Sequence, residues 1–187
     1  MLSPQQYAQN FAPHPTPVLL AQLYEFQRPL DVFFSSGFEL RAESDKGAFE
    51  SWSKEAAFLR ALFPIAQANG SGSTYALWLP QAGNLEDAPV LIFGDEGGVH
   101  VVAESLAALL RLLSHDTEPM VDTDKVYYYK LEDADVSHEA ASYADWLQKT
   151  LQLEPVRTSE EADALVAAAQ ATHGKAFSAW FERFYAG

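Results

Sequence analysis

Three short apolar runs, Thr74 to Leu79, Val90 to Phe93 and Val99 to Ala103, lie between residues that break helices. Asn69-Gly-Ser-Gly-Ser73 leads into the first, a loop through Pro80, Gly83, Asn84 and Pro89 joins the first to the second, and Gly94-Asp-Glu-Gly-Gly98 joins the second to the third. Runs of this length, rich in aromatic and β-branched residues and bounded by glycine and proline, read as strands rather than helices. A glycine-rich turn returns the chain beside itself. The centre of the sequence is therefore expected to fold as an antiparallel meander.

The flanks read as helices with two further strand regions. Leu106, Leu109, Leu110 and Leu113 recur at i, i+3, i+4 and i+7, with Glu104 and Ser105 near the start, which predicts an amphipathic helix. Before the meander, residues 1–16 suggest a helical turn and an extended lead-in. A helix follows with Thr16 as cap, Pro17 at its first position and Leu20, Leu23 and Tyr24 on one face, stopped by Pro29. Asp31 to Ser35 and Phe38 to Glu43, joined at Ser36 and Gly37, read as a hairpin. Phe58, Leu59, Leu62 and Phe63 fit a helical face ending before Pro64, with Ile65 to Ala68 as a short strand. Val126 to Leu131 reads as an edge or final strand. The tail is expected to be helical, with Tyr143, Trp146, Leu147 and Thr150 on one face, Leu165, Ala169, Phe177, Trp180, Phe181 and Phe184 on later faces, and Gly174 as a break.

The fold class expected is α+β: an antiparallel sheet of about five to six strands flanked by helices, with a helical C-terminal segment. At 187 residues the chain suits one domain, with 1–131 as the sheet-containing core and 132–187 as the helical segment.

Composition narrows the partners. Twelve lysines and arginines stand against 26 aspartates and glutamates, for a formal net charge of −14. A field of that sign opposes nucleic acid and anionic membranes rather than exploiting counterion release. With no cysteine there is no disulfide, thiolate metal site or cysteine nucleophile. The opening residues lack a basic start and an apolar run, and no segment approaches the ~18 apolar residues of a membrane span, so a soluble cytoplasmic protein is expected.

Signals for chemistry are weak. Gly70-Ser-Gly-Ser73 precedes a strand and lacks the following lysine, which fits a tight turn better than a phosphate loop. The five histidines, His14, His100, His115, His138 and His173, show no zinc-ligand spacing, and His100 is expected to be solvent-facing or hydrogen-bonded. There is no Gly-x-Ser-x-Gly elbow, although a site assembled from distant residues stays open. Trp52, Trp78, Trp146 and Trp180 read as core. Asp95 and Glu96 fit a solvated turn, an acidic partner contact or, less well, acid–base work or one edge of a divalent-metal site. Three successive tyrosines, Tyr127, Tyr128 and Tyr129, place at least one ring on each face of a strand, so one is expected as an exposed contact.

The stretches Asn69 to Leu79, Pro89 to Gly98 and Val101 to Leu113 together resemble the SUKH superfamily, which includes bacterial immunity proteins and fungal cell-wall regulators. The likeness lies in a glycine-bearing turn into an aromatic strand, a strand ending in an acidic-glycine turn, and a third strand feeding an apolar helix. It implies an α+β fold and a binding role without turnover, in many cases neutralising a toxin. The expectation is thus a non-enzymatic module without catalytic residue, cofactor or metal, which binds a protein partner such as a basic toxin through Asp95, Glu96, Tyr127, Tyr128 and Tyr129. The alternatives are an enzyme with a scattered carboxylate-based hydrolytic site, and a scaffold whose C-terminal aromatic helix packs on a partner.

Overall fold

The computed structural model describes residues 3–36, 38–40 and 46–185. Ser3 caps the first helix, α1 (Pro4–Gln9), by accepting the Gln6 N–H while the Gln6 side chain returns to the Ser3 N–H. The next helix, α2 (Val18–Gln27), buries Leu20, Leu23 and Tyr24 as expected. Its cap differs: Pro17, not Thr16, holds the cap position and offers no side-chain acceptor, and the Glu86 carboxylate takes the Val18 N–H.

The hairpin expected after α2 does not form. Residues 31–36 contain no strand, and β1 (Glu39–Leu40) pairs with Gln67 and Ala66 instead. Phe34 inserts among Phe26, Phe38 and Tyr143, so burial of its ring in a tertiary cluster overrides the local strand preference. Gly37 and residues 41–43 of that expected hairpin lie outside the described residues.

The helix expected to reach Phe63 stops early. Two short pieces, α3 (Gly47–Glu50) and α4 (Ala56–Arg60), give way to β2 (Leu62–Gln67). Leu62 and Phe63 therefore belong to a strand and enter different cores. A spacing of i, i+1, i+4 and i+5 fits a helix turn followed by a strand as well as one helix. Pro64 is tolerated because β1 partners only Ala66 and Gln67 among the described residues, so its missing N–H falls where β2 has a single neighbour.

The meander forms as read. β3 (Thr74–Trp78), β4 (Val90–Phe93) and β5 (Val99–Ala103) complete a five-stranded antiparallel sheet in the order β1-β2-β3-β4-β5. Trp78 pairs with Leu62, and Phe93 with both Thr74 and Val99. Ser105 caps α5 (Leu106–Leu113) by accepting the Ala108 N–H, and all four leucines of the pattern are buried. Each of them contributes roughly 2 kcal/mol relative to exposure.

Val126 to Leu131 is not a strand of this sheet. Only β7 (Val126–Tyr127) is extended, and it pairs with β6 (Met120–Val121) as a separate two-stranded sheet. In the tail, α6 (Ala140–Trp146) runs into a π-helical turn, Leu147–Leu151, which leaves Thr150 exposed while Tyr143 and Leu147 are buried. Thr158 caps α7 (Ser159–Ala169), and a second π-helical turn, Gln170–Gly174, links it to α8 (Lys175–Phe181). Gly174 does not break the helix: its φ and ψ are −58° and −46°. The extra residue of a π turn shifts the helical face, and that lets Ala169 and Phe177 pack in the same cluster.

Strand alternation divides the interior in two. Tyr75, Leu77, Val90, Ile92 and Val102 face a core closed by α2, α5, α6 and α7, whereas Ala76, Trp78, Leu91, Phe93 and Val101 face Phe49, Phe58 and the aromatics of α8. The C-terminal helices therefore complete both cores. At one end of the sheet the turns meet the 119–123 segment.

Candidate functional site

Two hydrogen-bonded turns build that end. Asn69 Oδ1 accepts the N–H groups of Gly72 and Ser73 at 3.0 and 2.9 Å and Gly72 has φ +120°, so the glycine-serine sequence is a tight turn organised by one side chain. The Ser73 hydroxyl then donates to Asp95 Oδ1 at 2.6 Å, and Ser71 Oγ lies 2.9 Å from the same oxygen. The Ser73 bond above all, with help from Ser71 and Asn69, holds the Asp95 carboxyl below the usual carboxylate range. Asp95 thus presents a fixed negative charge although it is exposed.

The turn bearing Asp95 and Glu96 is shaped by its neighbour. Gly98 has φ +80°, and a Cβ there would lie 2.1 Å from the Asp122 carbonyl oxygen. A Cβ on Gly94 would meet Gly97 O at 2.1 Å and Val121 Cγ1 at 2.7 Å. The 119–123 segment is therefore pressed onto the turn, and His100 Nε2 fastens it by donating to the Asp122 carbonyl at 2.7 Å. This is the hydrogen-bonded histidine expected on β5.

The result is an open cleft of about 440 Å³ lined by Asp95, Glu96, Met120, Asp122 and Tyr127 among others. A second cleft of about 310 Å³ adjoins it through Asn69 and is lined by Phe33, Phe38, Glu39 and Glu118 with Ser36 and Ser137. Among the described residues, no lysine, arginine or histidine lines either cleft, while five carboxylates do.

The three tyrosines part company. Tyr127 is half-buried at the first cleft, with Lys125 Nζ 4.9 Å from its ring centroid. Tyr128 is 2% exposed and its hydroxyl is 2.8 Å from that of Tyr75, so it is a core residue and offers no ring to a partner. Tyr129 is 61% exposed but lines neither cleft. Of the five residues expected as a contact surface, the fold brings together Asp95, Glu96 and Tyr127.

The sequence reading missed Asp116. It is 4% exposed with φ +53°, and it joins three segments: Ser36 N donates to Oδ1 at 2.7 Å, the Ser137 hydroxyl to Oδ1 at 2.6 Å, Ser137 N to Oδ2 at 2.8 Å and Lys130 Nζ to Oδ2 at 3.2 Å. Burial alone would raise its pKa, but the Ser137 and Ser36 hydrogen bonds and the Lys130 charge bring it below the usual value. Nothing local marks an aspartate in a polar stretch as buried; its partners lie 14 to 80 positions away.

Among the described residues, no three His, Cys, Asp or Glu side chains are grouped as metal ligands would be. No helix is long and apolar enough to cross a membrane. Comparison of the chain with protein-family models, curated proteins and solved structures finds no match in any of the three.

Proposed function

We propose that this chain is a non-enzymatic protein-binding module of the SUKH immunity type, which neutralises a basic toxin through the end of its sheet where the turns meet the 119–123 segment. The carrying observation is the pair of adjoining clefts lined by Asp95, Glu96, Asp122, Glu39 and Glu118, with no cationic side chain among the described lining residues. Opposed fields of this kind steer encounter and reject polyanions. Exposed Met120 and half-buried Tyr127 add the apolar contact area that charge alone lacks. A carboxylate held in its charged form by two serines, as Asp95 is, suits ion pairing better than proton donation.

The test uses a basic protein encoded beside this chain, purified and mixed with it. A 1:1 complex that abolishes the toxin's activity is expected. Its association rate should fall on the order of tenfold or more from low to high salt, and fall again in the variant D95N/E96Q/D122N. Absence of a complex, or a rate indifferent to both salt and substitution, overturns the reading.

A further inference from the structure

We infer that the smaller cleft is an anchor pocket for a single arginine side chain of the basic partner, an assignment that rests on the function proposed above. Its volume of about 310 Å³ is at the lower limit for small-molecule sites and suits one long side chain. Two features of its wall select the chemistry. Phe33 is 60% exposed on the lip, an aromatic surface left open to solvent. Glu39 on β1 and Glu118 on the 116–118 segment contribute two carboxylates from separate parts of the chain, and neither has a cationic partner among the described residues. Glu118 Oε1 receives the Gly70 N–H, at 3.3 Å.

Arginine satisfies both features and lysine only one. A guanidinium is planar, weakly hydrated, able to stack on a ring and able to give paired N–H bonds to carboxylates, whereas an ammonium is a strongly hydrated point charge. A phosphate-bearing ligand would face two like charges. The pocket is also preorganised. Ser36 and Ser137, on its wall, are both fastened to buried Asp116, so little ordering cost is left for binding.

The experiment is a titration of the full ¹⁵N-labelled chain with N-acetyl-arginine methylamide, followed by amide shifts. The Gly70 amide, bonded to Glu118, should shift saturably with a dissociation constant on the order of millimolar. The lysine analogue should bind several-fold more weakly, and E39Q/E118Q at least fivefold more weakly. Both substituted glutamates are exposed, so the variant keeps its fold, and an unchanged amide spectrum away from the cleft verifies that. An absent or unsaturable Gly70 shift, or equal binding by the double variant or the lysine analogue, overturns the assignment. The two readings fail separately. A salt-dependent toxin complex whose dissociation rate ignores E39Q/E118Q removes the anchor and leaves the function, while arginine binding without any toxin complex removes the function and the anchor's role in it.

Discussion

Asp116 holds Ser137 twice, taking its hydroxyl at 2.6 Å and its N–H at 2.8 Å, across 21 positions of sequence. The same carboxylate takes Ser36 N and Lys130 Nζ, so one buried charge ties the 31–36 segment, the turn after α5 and the approach to α6. Asp116→Ala leaves Lys130 and three donors without their acceptor. We expect a loss of about 3 kcal/mol in urea unfolding. Asp116→Asn, which keeps the shape, should lose less; equal stability of Asp116→Ala and the parent would contradict the linking role.

Acid should weaken the fold first through His115. Burial, and next the Lys130 charge, hold its imidazole below the ordinary value of 6.5. The unfolded chain therefore takes the proton first, so the stabilisation is complete above that value and is lost as pH falls through it toward the lower folded value. Asp116, also lowered, adds a second loss as pH falls below its ordinary 3.8. Urea midpoints measured from about pH 8 to about pH 5 should decline in the parent and flatten in His115→Gln.

Glycine at 98 is a steric requirement. Gly98→Ala combines φ +80° with a Cβ 2.1 Å from Asp122 O, and should cost more than about 2 kcal/mol or lift the 119–123 segment off the turn. Gly70→Ala, whose nearest neighbour would be 3.7 Å away, is the control and should change little. Thermal melts of the two variants separate these outcomes.

Tyr75 and Tyr128 form a buried hydroxyl pair at 2.8 Å. Either Tyr→Phe change strands the other hydroxyl and should cost about 1–2 kcal/mol, while the double change should cost less than the sum. A double-mutant cycle by urea unfolding measures this coupling. Tyr129→Ala, at an exposed ring, should stay within about 0.5 kcal/mol of the parent.

The C-terminal aromatics serve this chain's own sheet. Trp180 stacks on Phe58 at 5.1 Å between centroids and packs against Trp78 at 5.5 Å. Trp180→Ala should cost about 3–5 kcal/mol in unfolding. An unaltered stability would instead point to a helix that packs on another molecule.

Where the reading of the sequence succeeded, the cause was local. The leucines of α5 lie at 3.6-residue spacing behind a serine cap, and the strands β3 to β5 are short apolar runs closed by glycine turns, so both are specified within a dozen residues. It failed where distant chain decides. Phe34 left its expected strand for an aromatic cluster, Leu62 and Phe63 exchanged a helical face for a sheet, and Tyr128 turned inward to Tyr75. Of the candidate surface, the charges at Asp95 and Glu96 were legible because glycines flank them. Their neighbours Glu118, Asp122 and Glu39 were not, because they come from two other parts of the chain, the 118–122 stretch and β1.

By itself the sequence determined an antiparallel meander, an apolar helix behind it and a strongly negative charge, since periodicity, turn chemistry and ionisation are properties of neighbouring residues. Only the tertiary structure decided which carboxylate is buried as a strut and which line an open cleft. That distinction depends on long-range packing: Asp116 keeps its charge inside because Ser36, Lys130 and Ser137 converge on it, and Asp95 shows its charge outside because Ser71 and Ser73 hold it there.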